Sequence, residues 1–189
     1  MPTLFTIGHS NHEISKFIDL LKKNAIQQLV DVRSAPYSKY NLYYNRETLE
    51  SKLKQQGIEY FYYGNRLGGR PSDPSCYKHR ELPKEGTDYL HEVDYPAVMK
   101  KPFFLQGIHN LLELVERKPT AILCSEEDPA HCHRHHMIAK YLLAEHPEVT
   151  VMHIRGDGSL VDARELNQKD KKTGEQLPLF SLIRLPEPL

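Results

Sequence analysis

Short β-type runs and amphipathic helical patterns alternate along this chain, and that alternation restricts the fold more than any other feature. Leu4 to Ile7 reads as a first strand, followed by a helix from Glu13 to Lys23 with Ile14, Phe17, Ile18 and Leu21 on one face. Leu29 to Val32 reads as a second strand, and Arg46 to Gln56 as a helix stopped by Gly57. Ile58 to Tyr62 is the third strand, and Pro102 to Arg117 is a helix whose inward residues are Phe104, Ile108, Leu111, Leu112 and Val115. Ala121 to Cys124 is the fourth strand; residues 129–145 read as a helix closed by Pro147, and Val149 to Ile154 as a fifth strand. The pattern predicts an α/β domain of three layers: a Rossmann-like, mostly parallel five-stranded sheet with helices on both faces.

At 189 residues the chain suits one domain, expected over 1–164. The stretch 64–100 is rich in Gly, Pro and charge and too long for an ordinary connection, so it reads as an insertion or lid. Beyond it, residues 165–189 are polar and Pro-containing and read as a C-terminal tail. The opening MPTLFTIGHS lacks a basic segment and a long apolar run, so no signal peptide is expected. No apolar stretch approaches the roughly 18–20 residues that span a bilayer, so no membrane role is expected. Three widely spaced cysteines do not form a disulfide framework, which suits a reducing cytoplasm.

In open α/β sheets, ligands bind beyond the carboxyl ends of the strands. Here those ends are loaded with polar residues. The first strand exits into His9, Ser10 and Asn11, and the second into Arg33, Ser34, Tyr37 and Ser38. The third exits into Arg66, Gly68, Gly69 and Arg70, and the fourth into CSEEDPAHCHRHH, residues 124–136. Asp31 inside an apolar strand needs a partner, and Arg33 is the nearest candidate. The formal net charge is zero, yet the segment from Arg33 to Arg80 holds nine Lys/Arg against four acids, and eight of the eleven tyrosines. Basic residues interleaved with aromatics suit a phosphate-bearing ligand with stackable bases, a nucleotide or nucleic acid.

Within 124–136, Asp128-Pro129 marks a helix start. Cys132, His133 and Arg134 would then occupy the first turns, where amides and dipole favour anions and acidify thiols. Metal chemistry competes: Cys132 with His136, or His131 with His135, lie four residues apart, and Cys124 ends the preceding strand. No paired Cys-x-x-Cys or His-Glu-x-x-His spacing sorts these candidates into a site. His135 and His136 are expected to be exposed bystanders. The Cys-x5-Arg spacing of a phosphatase loop is absent. A persulfide-type loop would open at Cys124, where Glu126 and Glu127 would oppose a low thiol pKa.

The ordered motifs TIGHSN (6–11), DVRSAPYS (31–38), LGGR (67–70), CSEEDPAHCHR (124–134) and VMHI (151–154) resemble the DUF488 family of bacteria and archaea, a domain of unknown function. The resemblance implies an α/β fold with a shared polar edge and supplies no activity. The tail segment Gln176-Leu177-Pro178-Leu179-Phe180 resembles the Gln-Leu-x-Leu-Phe peptide by which bacterial DNA repair and replication proteins engage the sliding clamp. Such a peptide docks Leu and Phe in an apolar pocket while Gln sets orientation.

Three readings follow. The first is an enzyme on a nucleotide or nucleic acid, in DNA processing, with Arg33, Arg66, Arg70 and Arg134 on phosphate and Tyr37 or a neighbouring tyrosine stacking a base. His9, Glu126 or His133 would move protons, and Cys124 or Cys132 would add covalent chemistry. The second is a non-catalytic nucleotide- or DNA-binding module recruited through Gln176, Leu177, Leu179 and Phe180. The third is a metal- or redox-dependent thiol protein.

Overall fold

A computed structural model of the chain describes residues 1–38, 41–84 and 89–174, with side chains up to residue 168. The segment proposed to bind the sliding clamp therefore lies outside the described residues. A six-stranded, mostly parallel sheet forms the centre. Its strands are β1 (Thr3–Gly8), β2 (Gln28–Asp31), β3 (Glu59–Tyr62), β4 (Thr120–Cys124), β5 (Thr150–Ile154) and β6 (Leu160–Asp162), in the order β3-β2-β4-β1-β5-β6. The sequence reading counted five strands; β6 is the addition, a short antiparallel edge against β5. Three residues with one apolar pair carry too little periodicity to be read as a strand.

The helices are α1 (Ile14–Lys23), α2 (Arg46–Gln55), α3 (Gly64–Leu67), α4 (Tyr89–Glu92), α5 (Tyr95–Val98), α6 (Pro102–Arg117), α7 (Lys140–Glu145) and α8 (Ala163–Gly174). Alternate strand residues feed two separate cores. Ile7, Leu29, Ala121, Leu123 and Ile154 pack with Phe17 and Leu21 of α1 and Leu49 and Leu53 of α2. Leu4, Val30, Ile122 and Val151 pack on the other side with Phe104, Ile108 and Leu111 of α6 and Leu142 of α7. Each of the Val, Leu, Ile and Phe side chains among them, fully buried, contributes about 1.5–3 kcal/mol. The central strands β2 and β4 are buried along their whole length, polar ends included, which explains the apolar centres Leu29-Val30 and Ala121 to Leu123.

The polar stretch after residue 162 starts with α8, seated by the buried Ala163. No helix among the described residues is long and apolar enough to cross a membrane. Cys76, Cys124 and Cys132 are free and buried.

Residues 129–145 are not the single helix that the sequence suggests. Asp128 caps a 3-10 turn, Pro129–His131, its carboxylate accepting from the Ala130 amide at 3.0 Å. Cys132 is then extended, a π-helical segment runs Arg134–Ala139, and only Lys140 onward is α-helical. A proline after an N-cap fits a 3-10 turn as well as an α-helix. The break at Cys132 turns its sulfur toward the end of β4.

Candidate functional site

The carboxyl ends of β1, β2 and β4 lie side by side, with Gly8 opposite Cys124 in the parallel register. The loops that follow are joined by backbone: His9 N–H donates to Cys124 O at 3.0 Å, and Ser10 N–H to Ser125 O at 2.8 Å. Ser10 takes a left-handed conformation (φ 45°), which a non-glycine residue holds only under constraint. Gly8 permits the crossing, because a Cβ there would stand 1.7 Å from Glu126 O.

Above these ends opens a cavity of about 690 Å³. All four strand-exit loops reach it: His9 after β1; Arg33, Tyr37 and Ser38 after β2; Gly69 and Arg70 after β3; and Cys124, Glu126, Cys132 and His133 after β4. The stretch 64–100 adds Tyr89, Leu90, His91 and Tyr95 to the wall. Sequence reasoning named none of those four. They come to the cavity through long-range pairing, including the bridge between Tyr77 and Val93, and no local periodicity announces it.

Arg33 is buried and pinned. It grips Asp31 through Nε (2.9 Å) and Nη2 (2.6 Å), and Nη2 also donates to Tyr44 O at 2.9 Å. Tyr60 completes the shell, its hydroxyl donating to Asp31 at 2.8 Å. The expected Asp31–Arg33 pair is thus real, and it holds Asp31 beneath the cavity rather than in its lining. The remaining arm, Nη1, donates to His9 Nε2 at 3.3 Å, while His9 Nδ1 donates to Ser10 O at 2.8 Å. Burial pushes the His9 pKa down to about 4, with the nearby Arg33 charge adding to it, so the ring is neutral near pH 7.

Arg70 is exposed at the rim, with its guanidinium 4.6 Å over the Tyr89 ring. Tyr37 is also exposed and donates to Glu47 at 2.8 Å. Besides Asp31, four expected ligand contacts are not in the lining: Ser10, Asn11, Gly68 and Arg66, the last seated against α6 beside Gly107. Gly68 serves packing, since a Cβ would meet Gly64 O at 2.2 Å. Gly69 has a different role: a Cβ would meet His133 Nδ1 at 2.7 Å, so its bareness makes room for the imidazole.

Arg134, expected to face an anion, is fully buried. It donates to Glu126 O and, at 2.5 Å, to Glu127 O, holding the loop after β4 from inside. Its Nη donors are spent on those two carbonyls, and the side chain is not part of the cavity lining. Glu127 turns away from the thiols. Burial opposes its charge, but the Gly156 amide and Arg155 hold its pKa below the ordinary carboxylate range. His135 is not exposed either; it is buried beside His153, 3.1 Å between ring nitrogens, and His153 meets Thr6 Oγ1 at 2.7 Å. His136 is half-buried and bonds Ala130 O at 2.6 Å.

On the cavity floor three buried groups meet: Cys124 Sγ lies 3.6 Å and Cys132 Sγ 3.8 Å from His133 Nδ1. His133 Nε2 lies 3.1 Å from Val32 O. A carbonyl only accepts, so Nε2 carries the proton and the Nδ1 lone pair faces both sulfurs. The hydrogen bond from the Cys132 thiol, against burial and aided by His133, draws the Cys124 pKa well below the usual thiol range. Burial, with the neighbouring sulfur, pushes Cys132 up.

The family model described as a domain of unknown function, DUF488, matches residues 13–142. No curated protein and no solved structure matches the chain.

Proposed function

The chain belongs to the DUF488 family, and we propose that its cavity binds a phosphate-bearing ligand, a nucleotide or a nucleic-acid end, over the Cys124–Cys132–His133 floor. The observation that carries this reading is the composition of the wall. Arg33, Arg70 and four histidines (His9, His91, His131, His133) face a single carboxylate, Glu126, and three tyrosines stand among them. Arg33 is already neutralised by Asp31, so Arg70 is the principal cation for a phosphate, and Ser34, Ser38 and Ser125 supply hydroxyls. Tyr37 and Tyr95 offer flat faces to a base. Glu126 is the group on the wall able to accept a proton from a bound ligand, since the His9 lone pair is occupied by Arg33.

Isothermal titration of the full-length protein with mononucleotides and short single-stranded DNA tests the proposal. Arg70→Ala should weaken binding by about 10-fold or more, the loss of one charge-assisted bond. Equal affinity in Arg70→Ala and the unaltered protein, or affinity that does not change with salt, would sink the phosphate reading.

A further inference from the structure

We propose that Cys124, Cys132 and His133 form a three-ligand site for a thiophilic divalent cation, zinc by preference, with the fourth coordination position opening into the cavity. The three donor atoms all lie within 4.8 Å of one another and all three residues are buried. With zinc–sulfur near 2.3 Å and zinc–nitrogen near 2.05 Å, a tetrahedron places sulfur about 3.6 Å from nitrogen. The distances here are 3.6 and 3.8 Å.

The imidazole is also prepared from behind. Nε2–H donates to Val32 O, the outer-shell bond that ligating histidines characteristically make, and it directs the Nδ1 lone pair between the sulfurs. Without a cation that lone pair can accept a hydrogen bond from only one thiol, while a second sulfur crowds the same nitrogen. Soft sulfur with imidazole selects zinc over magnesium or calcium.

Sequence spacing hid the site because its ligands are not a paired motif. Cys132 and His133 are adjacent, and the extended backbone at Cys132 lets both converge on Cys124. Three protein donors with one open position is the pattern of a catalytic rather than a closed structural zinc centre. A water in that position would be acidified toward neutrality. Glu126, two residues beyond Cys124 on the cavity wall, is the carboxylate available to take its proton. The site stands on the floor donors alone, so it is independent of what the rim binds.

The experiment uses untagged full-length protein, stripped with a chelator under reducing conditions and then titrated with cobalt(II) and zinc. About one equivalent should bind, with cobalt showing the near-ultraviolet thiolate charge-transfer band and the strong visible bands of a tetrahedral site. Cys124→Ser, Cys132→Ser and His133→Ala should each weaken binding by more than about 100-fold, since outer-shell changes alone cost 10–100-fold. Cys76→Ser should leave it unchanged. If a variant fails to fold, alkylation of the unaltered protein decides: zinc must shield Cys124 and Cys132 and leave the rate at Cys76 unaltered.

Less than about a tenth of an equivalent, or cobalt bound without a thiolate band, overturns the proposal. So does affinity that survives both Cys124→Ser and Cys132→Ser. Nucleotide titration is a separate measurement, so loss of the metal site and loss of the phosphate reading can be told apart.

Discussion

Replacing Arg134 separates two roles that its position beside the cavity could suggest. The side chain is fully buried and its donors are spent on Glu126 O and Glu127 O, while Nε has no partner among the described residues. Arg134→Met keeps most of the volume and removes the charge. Losing two charge-assisted bonds costs about 1.5–3 kcal/mol each. Part of that is returned, because a charged group with an unsatisfied Nε no longer has to be buried. A net loss of about 3 kcal/mol remains. For a domain of this length each kcal/mol lowers Tm by about 2–4 °C, so the melt should fall by about 6–12 °C. Differential scanning calorimetry of the ligand-free protein measures it. The loop that carries Glu126 should also loosen, seen as faster amide exchange across residues 125–128. A melting temperature within about 2 °C of the unaltered protein, joined to a sharp drop in nucleotide affinity, would show that Arg134 serves ligand rather than loop.

Acid should destabilise the fold before carboxylates titrate. Burial lowers His153 to about 3 and His9 to about 4, so the unfolded chain gains these two protons first as pH falls through about 6.5. Each withdraws about 2 kcal/mol by about pH 5; urea midpoints that match at about pH 7 and 5 would refute this, and His153→Gln should remove roughly half the loss. Gly69→Ala should displace the His133 ring, weakening cobalt(II) affinity by about 10-fold or more with a small change in melting; unaltered affinity would show that the imidazole has room to spare. The double change Leu179→Ala with Phe180→Ala should abolish pull-down of a bacterial sliding clamp and leave the melting temperature nearly unchanged, whereas a large fall in melting temperature would place those residues in the core.

Strand and helix alternation, the four loaded loops and the Asp31–Arg33 pair were legible in the residues. Each depends on periodicity or on a cost that is local to a few positions: Ile7 and Leu29 must be covered, and a carboxylate within an apolar strand must find a cation. What chain-local reasoning could not supply was direction. Arg33 and Arg134 read alike in sequence, yet one arm of Arg33 reaches the cavity beside His9 while Arg134 is consumed by backbone carbonyls. Asp128-Pro129 announced a turn start correctly, but whether a 3-10 turn or a helix follows depends on what Cys132 must meet.

Tertiary structure decided the floor of the site. His133 is oriented by Val32 O, a partner 101 residues away in sequence, and is admitted by the bareness of Gly69. Tyr89, His91 and Tyr95 reach the wall only because the intervening stretch folds back. Hydrophobic spacing specifies which residues are buried and in which element, since that follows from the repeat of a strand or a helix. Cys124, Cys132 and His133 lie on one loop, but which way the His133 ring faces is set by elements distant in sequence, Val32 O behind it and Gly69 beside it.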